Sequence, residues 1–270
     1  TKGLSGFIPS EDAPVVRRLR YAGAIPLGKT NMPELGLAYE TDNLVYGRTN
    51  NPYDTSRTPG GSSGGEAAAI AAGLSPFGLG TDLGGSIRLP AHFCGIVGIK
   101  PTRGSVPRTG HFPGPFGVTR QLMETGIMAR QVEDLMLIRP LIMRPDGRDP
   151  AVIPMVMPYR ERISVRKLRV GFYTFNGIAE VDKETSETIK AVVRRVLEEK
   201  IKVTEVSPPG IQESYNFFVR ILGADGGKGI EELLASIGTE QKSPFLVDAL
   251  NILRPYEMSA ANFLKLIWRL

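Results

Sequence analysis

Residues 57–103 of this 270-residue chain read RTPGGSSGGEAAAIAAGLSPFGLGTDLGGSIRLPAHFCGIVGIKPTR. Of the 31 glycines in the chain, 12 lie between Gly60 and Gly104, and no charged side chain occurs from Ala67 to Thr81. Apolar residues are interleaved with these glycines, which argues against a flexible linker. Because glycine loses much conformational freedom on folding, this density predicts a buried segment whose backbones approach closely or adopt positive φ.

Two serines lie in glycine-rich turns of this segment, Ser62 in GGSSGG and Ser86, 24 positions later, in TDLGGSIRLP. A serine hydroxyl is a poor nucleophile unless a base takes its proton, and a second hydroxyl can pass that proton on. Consecutive amides at Leu83, Gly84, Gly85 and Ser86 can point at one developing oxyanion. The pattern therefore predicts a serine relay, and the alternative left open is that the hydroxyls only cap turns.

Two other motif matches are weaker. Gly23–Thr30 has the letters of a phosphate-binding loop, but a predicted helix precedes it and Pro26 removes an amide donor, so its context argues against that role. Gly60–Gly64 matches a nucleophile elbow, whose acid and histidine must follow it. The chain offers only His92 and His111 for that triad, both within 50 residues of the serine.

Composition excludes several classes of function. The 33 Lys and Arg against 28 Asp and Glu leave a surplus of +5 that is scattered along the chain, so we expect no nucleic-acid partner. A single cysteine, Cys94, excludes an intrachain disulfide and a multi-thiolate zinc site. We expect no metal and no organic cofactor, with Cys94 and His92 packed in the core and His111 in a loop.

Periodicity predicts an α/β fold with at least one crossover unit. A helix over residues 10–22 is expected behind a Ser10 cap, with a stop at Gly23 and a strand over Ala24–Leu27. The later predictions are a helix from Gln131 to Met136, a strand over Leu168–Tyr173, a helix over Lys183–Lys200, a strand over Ile201–Val206, and mostly helix from 211 to 270.

Residues 57–103 closely resemble the signature segment of the amidase signature hydrolases, and this match is long and specific. The flanks AGAIPLGKTN (22–31), YGRTNNPYD (46–54) and MARQVEDL (128–135) are similar to the same family. The Tyr39–Asn51 segment is most like its fatty-acid amide hydrolase branch. The resemblance, loose after residue 150, implies an α/β fold with a mixed twisted sheet flanked by helices, as a single domain over 1–270 that is incomplete at both ends.

The resemblance also implies a Ser-Ser-Lys triad, with Ser86 as nucleophile and Ser62 as bridging serine. The backbone amides of Leu83–Ser86 would bind the oxyanion. The residues expected to support this turn are Thr81, Asp82, Arg88 and Ser63, and the alternative for Asp82 and Arg88 is an exposed surface pair. The family's lysine precedes the segment that Thr1–Ser5 resembles, so we expect it before Thr1, with Lys2 and Lys29 solvated.

The implied activity is hydrolysis of a carboxylic amide, with a fatty-acid amide as one candidate, through an acyl-serine intermediate. A neutral lysine acting through Ser62 would deprotonate the nucleophile and protonate the leaving amine. We therefore expect this polypeptide by itself to be nearly inert. Two departures from the family concern local packing: Ile127 stands where the family usually has proline, and Pro140 interrupts a helix of the family and is expected to end or kink it.

Two alternative functions stay open. One is the glutaminase subunit of a glutaminyl-tRNA amidotransferase, from the same family, and the other is a non-catalytic fragment or interaction module. The expected partner is a small-molecule amide, and a homodimer is compatible with the resemblance. We expect an intracellular protein, and a membrane anchor would belong to residues before Thr1.

Overall fold

The chain folds as two units, Thr1–Met155 with Ile221–Leu270, and Val156–Arg220. The structure, a computed structural model, describes residues 1–112, 114, 122–155 and 163–267. The prediction of a single domain over residues 1–270 stays a prediction.

The described elements are short strands and α-helices, with four successive helices at the C-terminal end of the described chain. In chain order the strands are β1 (Asp42–Asn43), β2 (Gly47–Arg48), β3 (Phe77–Asp82), β4 (Val97–Ile99), β5 (Glu124–Ala129), β6 (Arg169–Phe172) and β7 (Lys202–Glu205). The α-helices are α1 (Pro14–Tyr21), α2 (Gly64–Ala71), α3 (Arg88–Phe93), α4 (Val132–Ile142), α5 (Lys183–Glu198), α6 (Ile211–Leu222), α7 (Lys228–Ser236), α8 (Pro244–Leu253) and α9 (Ala260–Ile267). Short 3-10 helices span Lys2–Leu4, Glu34–Gly36, Val165–Lys167 and Arg254–Tyr256.

The sheet of the first unit has the order β3-β5-β4, and both pairings are antiparallel. All residues of β5 are buried, and successive side chains of a strand point to opposite faces. Ile127 and Ala129 accordingly lie in one apolar cluster with α1 and α4, whereas Met128 lies in a second cluster with α2 and α3. The sheet is therefore covered by helices on both faces, as an α/β fold requires.

The glycines of the strands allow the helices to approach the sheet. A Cβ added at Gly80 would lie 2.8 Å from Oγ of Ser63, and one at Gly98 would lie 2.7 Å from the side chain of Ile87. A Cβ at Gly126 would lie 2.0 Å from the carbonyl oxygen of Ile99. The close approach of backbones expected from the glycine density is confirmed.

Two predictions for the N-terminal region are wrong. Helix α1 begins at Pro14 with Ala13 as its N-cap, not behind Ser10, because proline is well suited to the first turn of a helix. The helix still ends before Gly23, whose φ is +95°. Residues 24–27 form no strand, and Ile25 and Leu27 are 82% and 75% exposed, since no neighbouring strand is paired with them in the described part of the chain.

The later elements follow the predictions more closely. Strands β6 and β7 are parallel and are connected through α5, which confirms the predicted crossover unit. Helix α4 extends two residues beyond Pro140 to Ile142, farther than the proline suggested. Helices α6 to α9 confirm the helical character of the C-terminal third within the described residues.

Candidate active site

Ser62 and Ser86 lie in two buried turns that are hydrogen-bonded to each other. Ser62 follows a cis peptide bond from Gly61 and precedes α2, and Ser86 lies between β3 and α3. The amide of Ser63 donates to the carbonyl oxygen of Ser86 at 3.1 Å. Ser62 is 3% exposed and Ser86 is 8% exposed. The fold thus brings together the two serine turns that the sequence pointed to.

Asp82, at the end of β3, organises the turn that carries Ser86. Its Oδ1 accepts from the amide of Gly85 at 2.8 Å, and its Oδ2 accepts from the amide of Ile87 at 3.1 Å. The Arg88 guanidinium donates to both oxygens, from Nε to Oδ2 at 3.0 Å and from Nη2 to Oδ1 at 2.9 Å. The Asp82 side chain is fully buried, so the alternative of an exposed surface pair is wrong for it.

The same contacts control the charge of Asp82. Burial by itself raises the pKa of a carboxyl group, since the charged form loses water. The hydrogen bonds from Arg88 and from the amides of Gly85 and Ile87 outweigh burial, and the pKa of Asp82 lies below its ordinary value. In return, the bonded carboxylate raises the pKa of Arg88. Asp82 is therefore a permanent anion at neutral pH.

The amides in the Ser86 turn divide into two groups. The Gly85 amide is bound to Asp82. Within the residues that the structure describes, the amides of Leu83, Gly84 and Ser86 donate to no protein acceptor. A backbone amide without a protein acceptor needs water or a ligand as its partner, so these three are candidates for binding an oxyanion; Ser86 is buried, and Leu83 and Gly84 are half-buried. The amide of Gly85 is not one of these candidates, because Asp82 already accepts its hydrogen bond.

Ser63 and Thr81 connect the two serine turns from a second direction. Oγ of Ser63 donates to the carbonyl oxygen of Thr81 at 3.3 Å and accepts from the Thr81 amide at 3.3 Å. Thr81 thus takes part through its backbone near the end of β3, and the hydroxyl in this contact belongs to Ser63. The contact ties the start of α2 to the strand that leads to Ser86.

Residues 36–41, called the 36–41 segment below, lie against both serine turns and were missed as site residues. A Cβ added at Gly36 would lie 3.4 Å from Oγ of Ser62. A Cβ added at Gly61 would lie 2.8 Å from the carbonyl carbon of Tyr39. Thr41 Oγ1 donates to the carbonyl oxygen of Gly60 at 2.7 Å. The long irregular loop over 31–59 was the signal available in the sequence, since such loops often contribute functional residues.

Lys2 and Lys29, the two lysines considered in the sequence analysis, lie against residues outside the two serine turns. Lys2 Nζ donates to Oε1 of Gln241 at 2.6 Å, and Lys29 Nζ lies 6.0 Å from the ring centre of Phe7. Both residues are exposed, as expected. In the ranges that the structure describes, no lysine is hydrogen-bonded to Ser62 or Ser86. The position of the family's lysine before Thr1 stays a prediction.

Cys94 and His92, which follow the Ser86 turn in sequence, differ in their burial. Cys94 is fully buried, as predicted, and burial raises the pKa of its thiol to about 11, so it is not a reactive thiolate. His92 is exposed at the C-terminal end of α3, so the prediction of a packed histidine is wrong. Segment 24–33 contains no helix after Lys29, which removes the structural context of a phosphate loop.

Two further features of the described residues bear on other functions. No group of three or more His, Cys, Asp or Glu side chains in these ranges is placed to hold a metal ion. None of the helices in the described part of the chain has the length and apolar character needed to cross a membrane.

The Amidase family model matches residues 1–263. A glutamyl-tRNA(Gln) amidotransferase subunit of Syntrophobacter fumaroxidans is 42% identical over 209 residues, which cover 76% of this chain and 42% of that protein. The fatty-acid amide hydrolase 1 of Sus scrofa is 45% identical over 197 residues, which cover 71% of this chain and 32% of that protein. The chain thus spans less than half the length of these two relatives.

Solved structures show the same similarity in three dimensions. A fatty acid amide hydrolase superposes with a TM-score of 0.87 at 26% identity, over 96% of this chain and 46% of that one. A bacterial aryl acylamidase of the amidase signature enzymes superposes with a TM-score of 0.80 at 26% identity, over 98% of this chain and 56% of that one. The α/β fold implied by the sequence resemblance is confirmed.

Proposed function

Because this chain belongs to the amidase family, we propose that it carries the nucleophile and the oxyanion-binding amides of an enzyme that hydrolyses carboxylic amides. The observation that carries the proposal is the pair of buried serine turns joined by the Ser63–Ser86 hydrogen bond, with three unpaired amides beside Ser86. Ser86 is the proposed nucleophile, and Ser62 is the proposed bridging serine.

In the proposed reaction, Oγ of Ser86 attacks the amide carbon while its proton passes to the hydroxyl of Ser62 and on to a base. The carbonyl oxygen gains the negative charge and receives hydrogen bonds from the amides of Leu83, Gly84 and Ser86. The C–N bond then breaks, and the leaving nitrogen takes the proton back along the same route. Water hydrolyses the resulting acyl-Ser86. We propose as the base the lysine that is expected before Thr1 from the resemblance to the family.

Labelling by a fluorophosphonate, which forms a covalent bond with an activated serine, tests this proposal. We expect the longest natural polypeptide that contains these residues to be labelled at Ser86, and Ser86→Ala to lose both labelling and amide hydrolysis. Ser105→Ala is the matched control, since Ser105 is also buried but donates to the carbonyl of Thr102, outside the two serine turns. An unlabelled, inactive wild-type protein would favour the non-catalytic module.

A long-chain fatty-acid amide is the first substrate class that we propose. The similarity to fatty-acid amide hydrolase 1, at 45% identity, supports it. A glutaminase that supplies ammonia to partner subunits is the second candidate, supported by 42% identity to one of the amidotransferase subunits. The first predicts that the longest natural polypeptide containing these residues hydrolyses oleamide without partner chains. The second predicts glutamine hydrolysis that depends on partner chains.

Size-exclusion chromatography with light scattering would test the homodimer, which stays a prediction.

A further inference from the structure

A single peptide unit next to Ser86 is hydrogen-bonded at both ends. The phenol of Tyr39 donates to the carbonyl oxygen of Gly84 at 2.9 Å. The amide of Gly85, which belongs to the same planar peptide unit, donates to Oδ1 of Asp82 at 2.8 Å. Tyr39 and Asp82 therefore fix the orientation of the Gly84–Gly85 peptide from opposite sides.

This peptide lies between two of the three amides that are proposed to bind the oxyanion. The amides of Gly84 and Ser86 flank it, and neither donates to an acceptor within the described residues. Gly85 has a φ of +121°, a backbone conformation that glycine adopts much more readily than other residues. The Gly84–Gly85 peptide joins these two amides, so its two hydrogen bonds restrict the backbone of the turn that presents them and contribute to their preorganisation.

The backbone of Tyr39 is anchored on the other serine turn. The carbonyl carbon of Tyr39 would lie 2.8 Å from a Cβ added at Gly61, and Thr41 is bound to the carbonyl of Gly60 at 2.7 Å. Tyr39 thus rests on the Ser62 turn and reaches the Ser86 turn with its hydroxyl. Tyr39 is 52% exposed, so its side chain is not part of the buried apolar core.

We propose that Tyr39 is a positioning residue for the oxyanion site, whose hydroxyl holds the Gly84–Gly85 peptide so that the amides of Gly84 and Ser86 keep one direction. This inference rests on the proposed function of Ser86. It assigns to Tyr39 an effect on the transition state rather than on substrate binding, because the oxyanion forms only after attack.

The test compares Tyr39→Phe with wild type in the longest natural polypeptide that contains these residues. Loss of one neutral hydrogen bond is expected to lower kcat by about threefold to tenfold, with KM changed by less than about twofold. A long-chain trifluoromethyl ketone provides a second readout. Addition of Oγ of Ser86 to its carbonyl carbon forms a C–O bond and places the negative charge on the former carbonyl oxygen, while the serine proton passes to the base.

The ketone is compared with the corresponding secondary alcohol, which has the same chain and forms no oxyanion. We expect Tyr39→Phe to weaken ketone binding by about threefold to tenfold and alcohol binding by less than about twofold. Because both ligands bind only the folded protein, the ratio of their affinities is independent of any loss of stability. Tyr46→Phe, which changes a tyrosine that is 75% exposed on the same loop, is expected to behave as wild type.

An unchanged ratio of ketone to alcohol affinity in Tyr39→Phe, with Ser86→Ala inactive, would overturn the role of Tyr39 and leave the proposed function intact. Full activity in Ser86→Ala would overturn the proposed function, and the inference about Tyr39 with it. A selective loss of ketone affinity in Tyr39→Phe supports the inference.

Discussion

Asp82 is a buried side chain that organises the turn carrying Ser86. Its carboxylate has no solvent exposure and accepts hydrogen bonds from Gly85, Ile87 and Arg88. A buried charge is tolerated only when such partners replace the lost water. Because the Gly85 amide is one of these partners, the same carboxylate that stabilises the turn also determines which amides stay unpaired beside Ser86.

Asp82→Asn is expected to destabilise the fold at pH 7 by about 1–3 kcal/mol, because an amide group cannot accept all of these hydrogen bonds. The folded-state pKa of Asp82 is lowered, so its stabilisation is fully present above the unfolded-state value, about 3.9, and is lost as the pH falls through the folded-state pKa. Urea unfolding of wild type and variant from pH 7 to pH 2.5 should therefore give curves that converge at the acidic end.

Asp12→Asn is the control for this titration, since Asp12 forms a partly exposed pair with Arg20. Surface pairs contribute at most about 1 kcal/mol, so this variant should remain close to wild type. A constant difference between wild type and Asp82→Asn at every pH would contradict the assigned ionisation of Asp82.

Ser62 and Ser63 are neighbours with different predicted roles. Ser62→Ala removes the proposed proton relay and is expected to slow acylation of Ser86 by about 10²- to 10⁴-fold without unfolding the protein. Ser63→Ala removes the hydroxyl that binds the backbone of Thr81, and is expected to lower stability by about 1 kcal/mol while acylation changes only severalfold. Fluorophosphonate labelling rates and melting temperatures measure the two effects. Equal labelling rates in wild type and Ser62→Ala would remove Ser62 from the mechanism.

Strand β5 is the element on which both helical layers depend. It pairs with β3 and β4, and its alternating residues enter the two apolar clusters on opposite faces of the sheet. Gly126 lies in its middle, where the backbone of Ile99 leaves no room for a side chain. The register also places Asp82 opposite Glu124, so an error in this pairing would move the turn that carries Ser86.

Gly126→Ala is therefore expected to be severely destabilising, by about 3 kcal/mol or more, because the new Cβ would lie 2.0 Å from a backbone oxygen that cannot rotate away. Gly28→Ala is the matched control, since a Cβ at Gly28 would meet nothing within 4 Å. Thermal unfolding should show a strongly lowered melting temperature, or no cooperative transition, only in Gly126→Ala. Similar melting temperatures for the two variants would contradict the described packing of β4 on β5.

The whole chain contains the serine turns and the helices around them but, in its described residues, no lysine bonded to either serine. We expect the isolated 270-residue polypeptide to hydrolyse oleamide at least about 100-fold more slowly than the longest natural polypeptide that contains it, because a general base typically contributes that much. Initial rates and fluorophosphonate labelling of the two proteins measure the difference, and circular dichroism shows whether the shorter one is folded. Comparable rates would mean that the base lies among the residues described above.

Much of the fold and of the site follows from local sequence. The glycine density of residues 60–104 predicted close packing, and it is present at Gly61, Gly80 and Gly98. Helical and strand periodicity predicted the crossover unit of β6, α5 and β7, because one face of each element must be apolar. The glycine-rich surroundings of Ser62 and Ser86 identified both turns, and their chemical roles stay predictions.

Other properties depend on contacts between residues that are distant in sequence, and only the tertiary structure decided them. The apolar run Ala24–Leu27 was predicted to be a strand, but a strand forms only where a partner supplies its hydrogen bonds. The hydrogen bond from Tyr39 to the carbonyl oxygen of Gly84 likewise requires the 36–41 segment to lie against the turn that carries Ser86. Sequence thus determined which residue types are available for chemistry, whereas folding determined which amides beside Ser86 have no acceptor within the described residues.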